Sequence, residues 1–184
     1  MIYKFFWAIR ALILKPFFRN FGFPSYIGKP IYLSGIRRIS IGSRTRIFPG
    51  ARLEAHNNGM ITIGDNVSIG ENVHIISSKS IVIEGGTLMA ENIFIADSDH
   101  NYSDISKPVH EQDLSLKSTK IGKNCFIGVG SAILAGTKLG RNCVVGACSV
   151  VRGEFPDYSV IAGNPAKLIK TYNEKKKIWE SVSK

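Results

Sequence analysis

Residues 121–151 read IGKNCFIGVGSAILAGTKLGRNCVVGACSVV. An aliphatic residue returns every six positions: Ile121, Ile127, Ile133, Leu139, Val145 and Val151. Gly often follows it, at 122, 128, 140 and 146. Three positions after it stands Asn or Gly, at Asn124, Gly130, Gly136 and Asn142. These are the residue types that most readily accept positive φ, so each hexad carries its own corner. Four positions after it comes a small or β-branched residue: Cys125, Ser131, Thr137, Cys143 and Ser149. An α-helix needs an apolar period near 3.6 residues, which this stretch lacks. The pattern reads as short strand, tight corner, short strand, with the aliphatic and the small residue both pointing inward. Three such sides close a coil of roughly 18 residues, and stacked coils satisfy each other's backbone hydrogen bonds.

The same period extends toward the N-terminus. One run is Ile83, Met89, Ile95; another is Ile63, Ile69, Ile75, Ile81; a third is Ile41, Ile47, Leu53; a weaker one is Ile27, Leu33, Ile39. Cys125 and Cys143 take the small inward position and read as core residues, while Cys148 falls at a corner. Three cysteines without zinc-site spacing leave a reducing, cytoplasmic compartment as the expectation.

Two interruptions break the repeat. The phase slips around His56-Asn57-Asn58-Gly59. The larger break lies between Ile95 and Ile121 and is polar and rich in titratable groups, including Asp97, Asp99, His100, Asp104 and His110. A polar loop of this size in a rigid solenoid points to function. The expected division is an apolar helical segment at 1–24, a β-helix at 25–168 with an extended loop at 97–119, and a helical tail at 169–184 capping the open end.

The chain has 184 residues and a formal net charge of +10. That balance favours anionic partners: nucleic acid, an acidic membrane surface or phosphorylated small molecules. Phe5 to Leu14 is apolar except for Arg10, too short to span a bilayer, and Pro16 follows it. It suits either a helix on a membrane surface or one packed on its own domain or a neighbouring subunit.

The stretches IADSDHNY (95–102), KIGKNCFIG (120–128), VVGACSVV (144–151) and IAGNPAKLIK (161–170) resemble the hexapeptide-repeat acyltransferases of the maltose, galactoside and nodulation acetyltransferase group. The sugar O-acetyltransferases of O-antigen and capsule biosynthesis are the nearest branch. The resemblance implies a left-handed parallel β-helix, a homotrimer with sites between subunits, and acetyl-CoA as co-substrate with no metal. It implies His100 as general base and Asp97 as the residue that orients it. It also suggests Asp99, Tyr102 and His110 toward the acceptor, and Phe126, Ser131, Ala147, Arg152 and Lys167 toward CoA. Phe126 stands where the group often has Trp, and Arg152-Gly153 replaces a Thr-Lys pair. The acceptor implied is a saccharide, lipid-linked or small, rather than nucleic acid, with N-acetylation of an amino sugar or xenobiotic and a non-catalytic scaffold as alternatives. His56 and His74 read as bystanders, and the four histidines do not have the spacing of a zinc-dependent carbonic anhydrase on this fold. A nucleotidyltransferase or serine acetyltransferase would carry a larger N-terminal domain than the roughly forty residues that precede the strong repeat.

Overall fold

The structure, a computed structural model, describes residues 2–182. Three parallel sheets of seven, nine and six strands form the sides of a prism, with two antiparallel strands closing the nine-stranded side. The chain visits the three sides in turn, a β-solenoid of the kind expected of left-handed hexapeptide coils.

Side chains stack in register along the prism. One column in the first sheet runs Phe21, Ile41, Ile63, Ile83, Ile121, Leu139, Phe155. In the second it runs Ile27, Ile47, Ile69, Met89, Ile127, Val145, Ile161. In the third it runs Leu33, Leu53, Ile75, Ile95, Ile133, Val151. Nearly all are buried, and each fully buried aliphatic side chain stabilises the fold by about 1.5–3 kcal/mol.

The small inward positions complete the core. Where they carry a hydroxyl, it donates to a nearby carbonyl: Thr45 to Gly64, Thr87 to Gly122, Ser131 to Gly146, Thr137 to Val151. A polar atom buried in this narrow interior therefore costs little. The corners behave as the sequence implies. Asn66, Asn72, Asn92, Asn124 and Asn142 sit at φ 54–57°, and Cys148 at 54°.

The coils begin earlier than position 25, since Asn20–Phe21 already pairs with the next coil. Helix α1, Ile2–Leu14, lies before them. Trp7 packs against Tyr26 and Phe48, Ala11 is buried, and the Arg10 guanidinium donates to the Ile27 carbonyl.

The expected C-terminal helix is absent, a correction with a clear cause. Ala166–Asn173 is a strand that folds back antiparallel on Ser159–Gly163, and Ile178–Ser181 pairs with it in turn. The Asn173 side chain accepts from the amides of Lys175 and Lys176, and Lys177 takes φ 56°, which makes the lysine run a hairpin turn. Tyr158, Tyr172 and Trp179 pack in succession, the first pair tilted and the second edge-on.

Candidate active site

The long interruption, expected as an extended loop, forms a two-stranded arm. Ser98–His100 pairs antiparallel with Leu114–Leu116, with His100 opposite Leu114 and Asp99 opposite Ser115. Strand alternation sends Ser98 and His100 to one face and Asp99 to the other. Two cavities result. One of about 440 Å3 is lined by Ser98, His100 and Leu114 together with Ser78, Phe94 and His56. The other, of about 680 Å3, is lined by Asp99, Tyr102, Ser115, Lys117 and Arg152. His100 ends its strand and borders both. Its imidazole has no hydrogen-bond partner among the described residues.

Asp97 does not orient that imidazole, which corrects the expectation from the resemblance. Its carboxylate is fully buried and accepts from Ser77 Oγ (2.6 Å), the Ser78 amide (2.7 Å) and the Lys79 amide (3.0 Å). Its own carbonyl accepts from the Lys117 amide at 2.8 Å. Asp97 therefore ties both strands of the arm's root to the preceding coil. It occupies the last inward-facing place before the chain leaves the prism, which directs its side chain into the protein and away from the arm.

Asp99 and Arg152, assigned to different ligands by the resemblance, meet each other. The guanidinium grips the carboxylate with two bonds of 2.7 and 3.1 Å. Arg152 holds the Asp99 carboxyl below the usual carboxylate range. Tyr102 shares their cavity and is 78% exposed. His110 lies on the 3₁₀ turn Val109–Glu111 near the arm's tip, exposed and 3.8 Å from Glu111, and lines neither cavity.

The residues suggested for CoA are scattered. Phe126 is on the second sheet, half-exposed in a groove of about 350 Å3 with Phe48 and Leu88. Ala147 and Lys167 are exposed. Ser131 is a second correction: its hydroxyl points into the prism and donates to the Gly146 carbonyl, as its place in the hexad requires.

One cluster gathers the two histidines that read as bystanders in the sequence. Glu54 is buried on the outer side of the third sheet and accepts from Arg52 Nε, from His56 Nε2 at 2.9 Å and from His74 Nε2 at 2.9 Å. Burial alone would raise its pKa, but the three donors together hold it below the usual value. The signal was available: Arg52, Glu54 and His56 alternate with the inward Leu53 and Ala55.

A prism of stacked hexads interrupted by an arm that presents a histidine between two cavities is the build of a hexapeptide-repeat transferase. Residues 118–153 match the family "Bacterial transferase hexapeptide (six repeats)". The chain is 37% identical over 179 residues to a putative lipopolysaccharide biosynthesis O-acetyl transferase, WbbJ, of Escherichia coli K12, covering 94% of this chain and 90% of that protein. It is 30% identical to the dTDP-4-amino-4,6-dideoxy-D-glucose acyltransferase of Escherichia coli, covering 90% and 91%. The chain belongs to the hexapeptide-repeat acyltransferases and is an enzyme of that class. In fold it is similar to the N-acyltransferase AntD of Bacillus cereus, solved with dTDP and 3-hydroxybutyryl-CoA (TM-score 0.78, 21% identity, 91% and 90% covered). A galactoside acetyltransferase solved with coenzyme A is also similar (TM-score 0.63, 22% identity, 91% and 72% covered).

Proposed function

We propose that this enzyme moves an acetyl group from acetyl-CoA to a hydroxyl of a saccharide, with His100 as general base. The observation that carries the reading is the position of His100, an unpartnered imidazole on a pinned arm, bordering two cavities at once. A sugar hydroxyl is a weak nucleophile at neutral pH. Imidazole takes its proton as the oxygen attacks the thioester carbonyl. The C–S bond breaks, and the imidazolium returns the proton to the departing CoA thiolate. No covalent acyl-enzyme is needed. The exposed Phe126 ring suits the uncharged part of the donor. Lys167, which has no ion pair among the described residues, suits a phosphate. The test is thiol release from acetyl-CoA in the presence of candidate saccharides, lost in His100→Ala.

A second acceptor class, the amine of an amino sugar, is favoured by the 30% identity to a protein named as an acyltransferase of a nucleotide-linked amino sugar. Mass spectrometry of the product separates ester from amide by its lability to mild base.

The active assembly we infer is a homotrimer. The arm leaves Leu114 and Leu116 about two-fifths exposed and Ile105 wholly so. A neighbouring prism laid against the arm would cover them and close the open cavities.

The N-terminal end suits an anionic membrane surface at the cytoplasmic face. Trp7, Ala11 and Leu14 face the prism, while Phe5, Phe6, Leu12 and Ile13 are 56–65% exposed on the opposite side of α1. Residues 1–52 hold ten Lys and Arg and no Asp or Glu, whereas the rest of the chain balances 14 with 14. The whole excess charge thus belongs to the end that bears the apolar helix face, a combination that binds acidic lipid. Among the described residues no helix is long and apolar enough to cross a membrane. Sedimentation with phosphatidylglycerol vesicles should capture the wild type and not Leu12→Ser/Ile13→Ser. A variant that changes assembly size instead would make α1 a subunit contact.

A further inference from the structure

We propose that the cavity between the third sheet and the arm's root binds the acceptor's sugar ring, and that His56, held by Glu54, positions one of its hydroxyls. The proposal rests on the reading of a saccharide as acetyl acceptor and adds the location and chemistry of its pocket. The cavity holds about 440 Å3, room for a hexose. Phe94 and Leu114 supply an apolar wall of the kind that packs on the C–H face of a pyranose. His56, Asn57, Ser78 and Ser98 supply polar groups around it, and His100 borders the same space.

The state of His56 follows from its partner. Glu54 is ionised between three donors and, as a carboxylate, only accepts. His56 must therefore present an N–H at Nε2 to it. Nδ1 is left without a partner among the described residues, and in the neutral ring it carries the lone pair. The neutral ring thus offers the cavity an acceptor for a sugar O–H, separate from the base that removes a proton. His74 is held by the same carboxylate but turns its ring against Phe94, with centroids 5.3 Å apart, and does not line the cavity. Glu54 is a positioning residue acting through His56. The buried carboxylate, otherwise a costly group on the outside of a sheet, sets the tautomer and aim of one ring facing substrate.

The experiment pairs saturation-transfer NMR on the full chain, using a panel of methyl hexopyranosides, with thiol-release kinetics on the sugar that binds most tightly. His56→Ala should weaken sugar binding about tenfold, the loss of one well-placed hydrogen bond, with acetyl-CoA KM unchanged. His56→Asn, whose amide oxygen can take the place of Nδ1, should recover part of that loss, and His56→Gln, which reaches only Glu54, should not. His74→Gln should stay within about twofold of wild type, since it shares the carboxylate but not the cavity. Equal effects of the His56 and His74 changes would make the cluster merely structural and overturn the proposal. So would a wild type that binds none of the sugars, or one whose binding ignores His56. Sugar binding that depends on His56 without thiol release would leave the pocket standing and defeat the reading of a saccharide as acetyl acceptor.

Discussion

Replacing Asp97 separates two roles that the residue's place in the chain confuses. Its carboxylate gathers three donors, and they do not suffer equally when it goes. Ser77 Oγ has a second acceptor in the Met60 carbonyl at 3.0 Å. Lys79 is exposed, and its amide can turn to water. The Ser78 amide belongs to a residue only 6% exposed and has no other acceptor among the described residues. A hydrogen bond to a charged group is worth about 1.5–3 kcal/mol and a stranded buried donor costs about 1–3 kcal/mol. Asp97→Ala should therefore destabilise by about 3 kcal/mol. For a chain of this size that is about 6–12 °C in Tm. Asp97→Asn should fare little better, because its NH2 group must face the same donors. Differential scanning fluorimetry measures the shift. Hydrogen exchange at the Lys117 amide, bonded to the Asp97 carbonyl, reports whether the arm's root has loosened. An Asp97→Asn protein with unchanged Tm and a large loss of kcat would refute the anchor and restore Asp97 as the partner of His100.

The Asp99–Arg152 clasp gives the arm a pH dependence. Its folded pKa is depressed by Arg152, so the stabilisation is present above the ordinary aspartate range and lost as pH falls through the lowered value. Exchange of arm amides should rise at that acid step and become independent of it in Arg152→Ala; an unchanged profile would show that the clasp does not hold the arm. Thiol labelling of the native enzyme should find one reactive cysteine per chain. Cys148 is exposed, whereas Cys125 and Cys143 are buried, and the neighbouring Cys143 together with burial pushes the Cys125 thiol up. Cys148→Gly should also stabilise by about 1 kcal/mol by relieving the positive φ at that corner, and a fall in Tm would contradict this.

What was legible in the sequence follows from what repeats. A six-residue period constrains every coil, so the columns through Ile83, Ile127 and Ile133 are legible in the sequence alone, as are the Asn corners. The C-terminal tail has no such repetition. Its lysine run suits a solvated helix as well as a turn, and the choice was made by a long-range fact, the exposed edge of the second sheet that accepts Ala166–Asn173. Asp97 and Ser131 were misassigned for a related reason. Both stand beside functional stretches in sequence, but the inward phase of the coil turns their side chains into the protein. The grouping of Glu54 with His56 and His74, which read as bystanders, is not legible in the sequence because His74 is 18 residues from His56 and becomes a neighbour only once the coil is closed.

The role of His100 is tested most directly by acetyl-CoA thiol release with a competent saccharide, comparing wild type with His100→Ala at equal concentrations of folded enzyme. Loss of the base should lower kcat by about 10²–10⁴ while Tm, set by the coils and the Asp97 anchor, stays where it was. Undiminished turnover in His100→Ala would contradict the assignment.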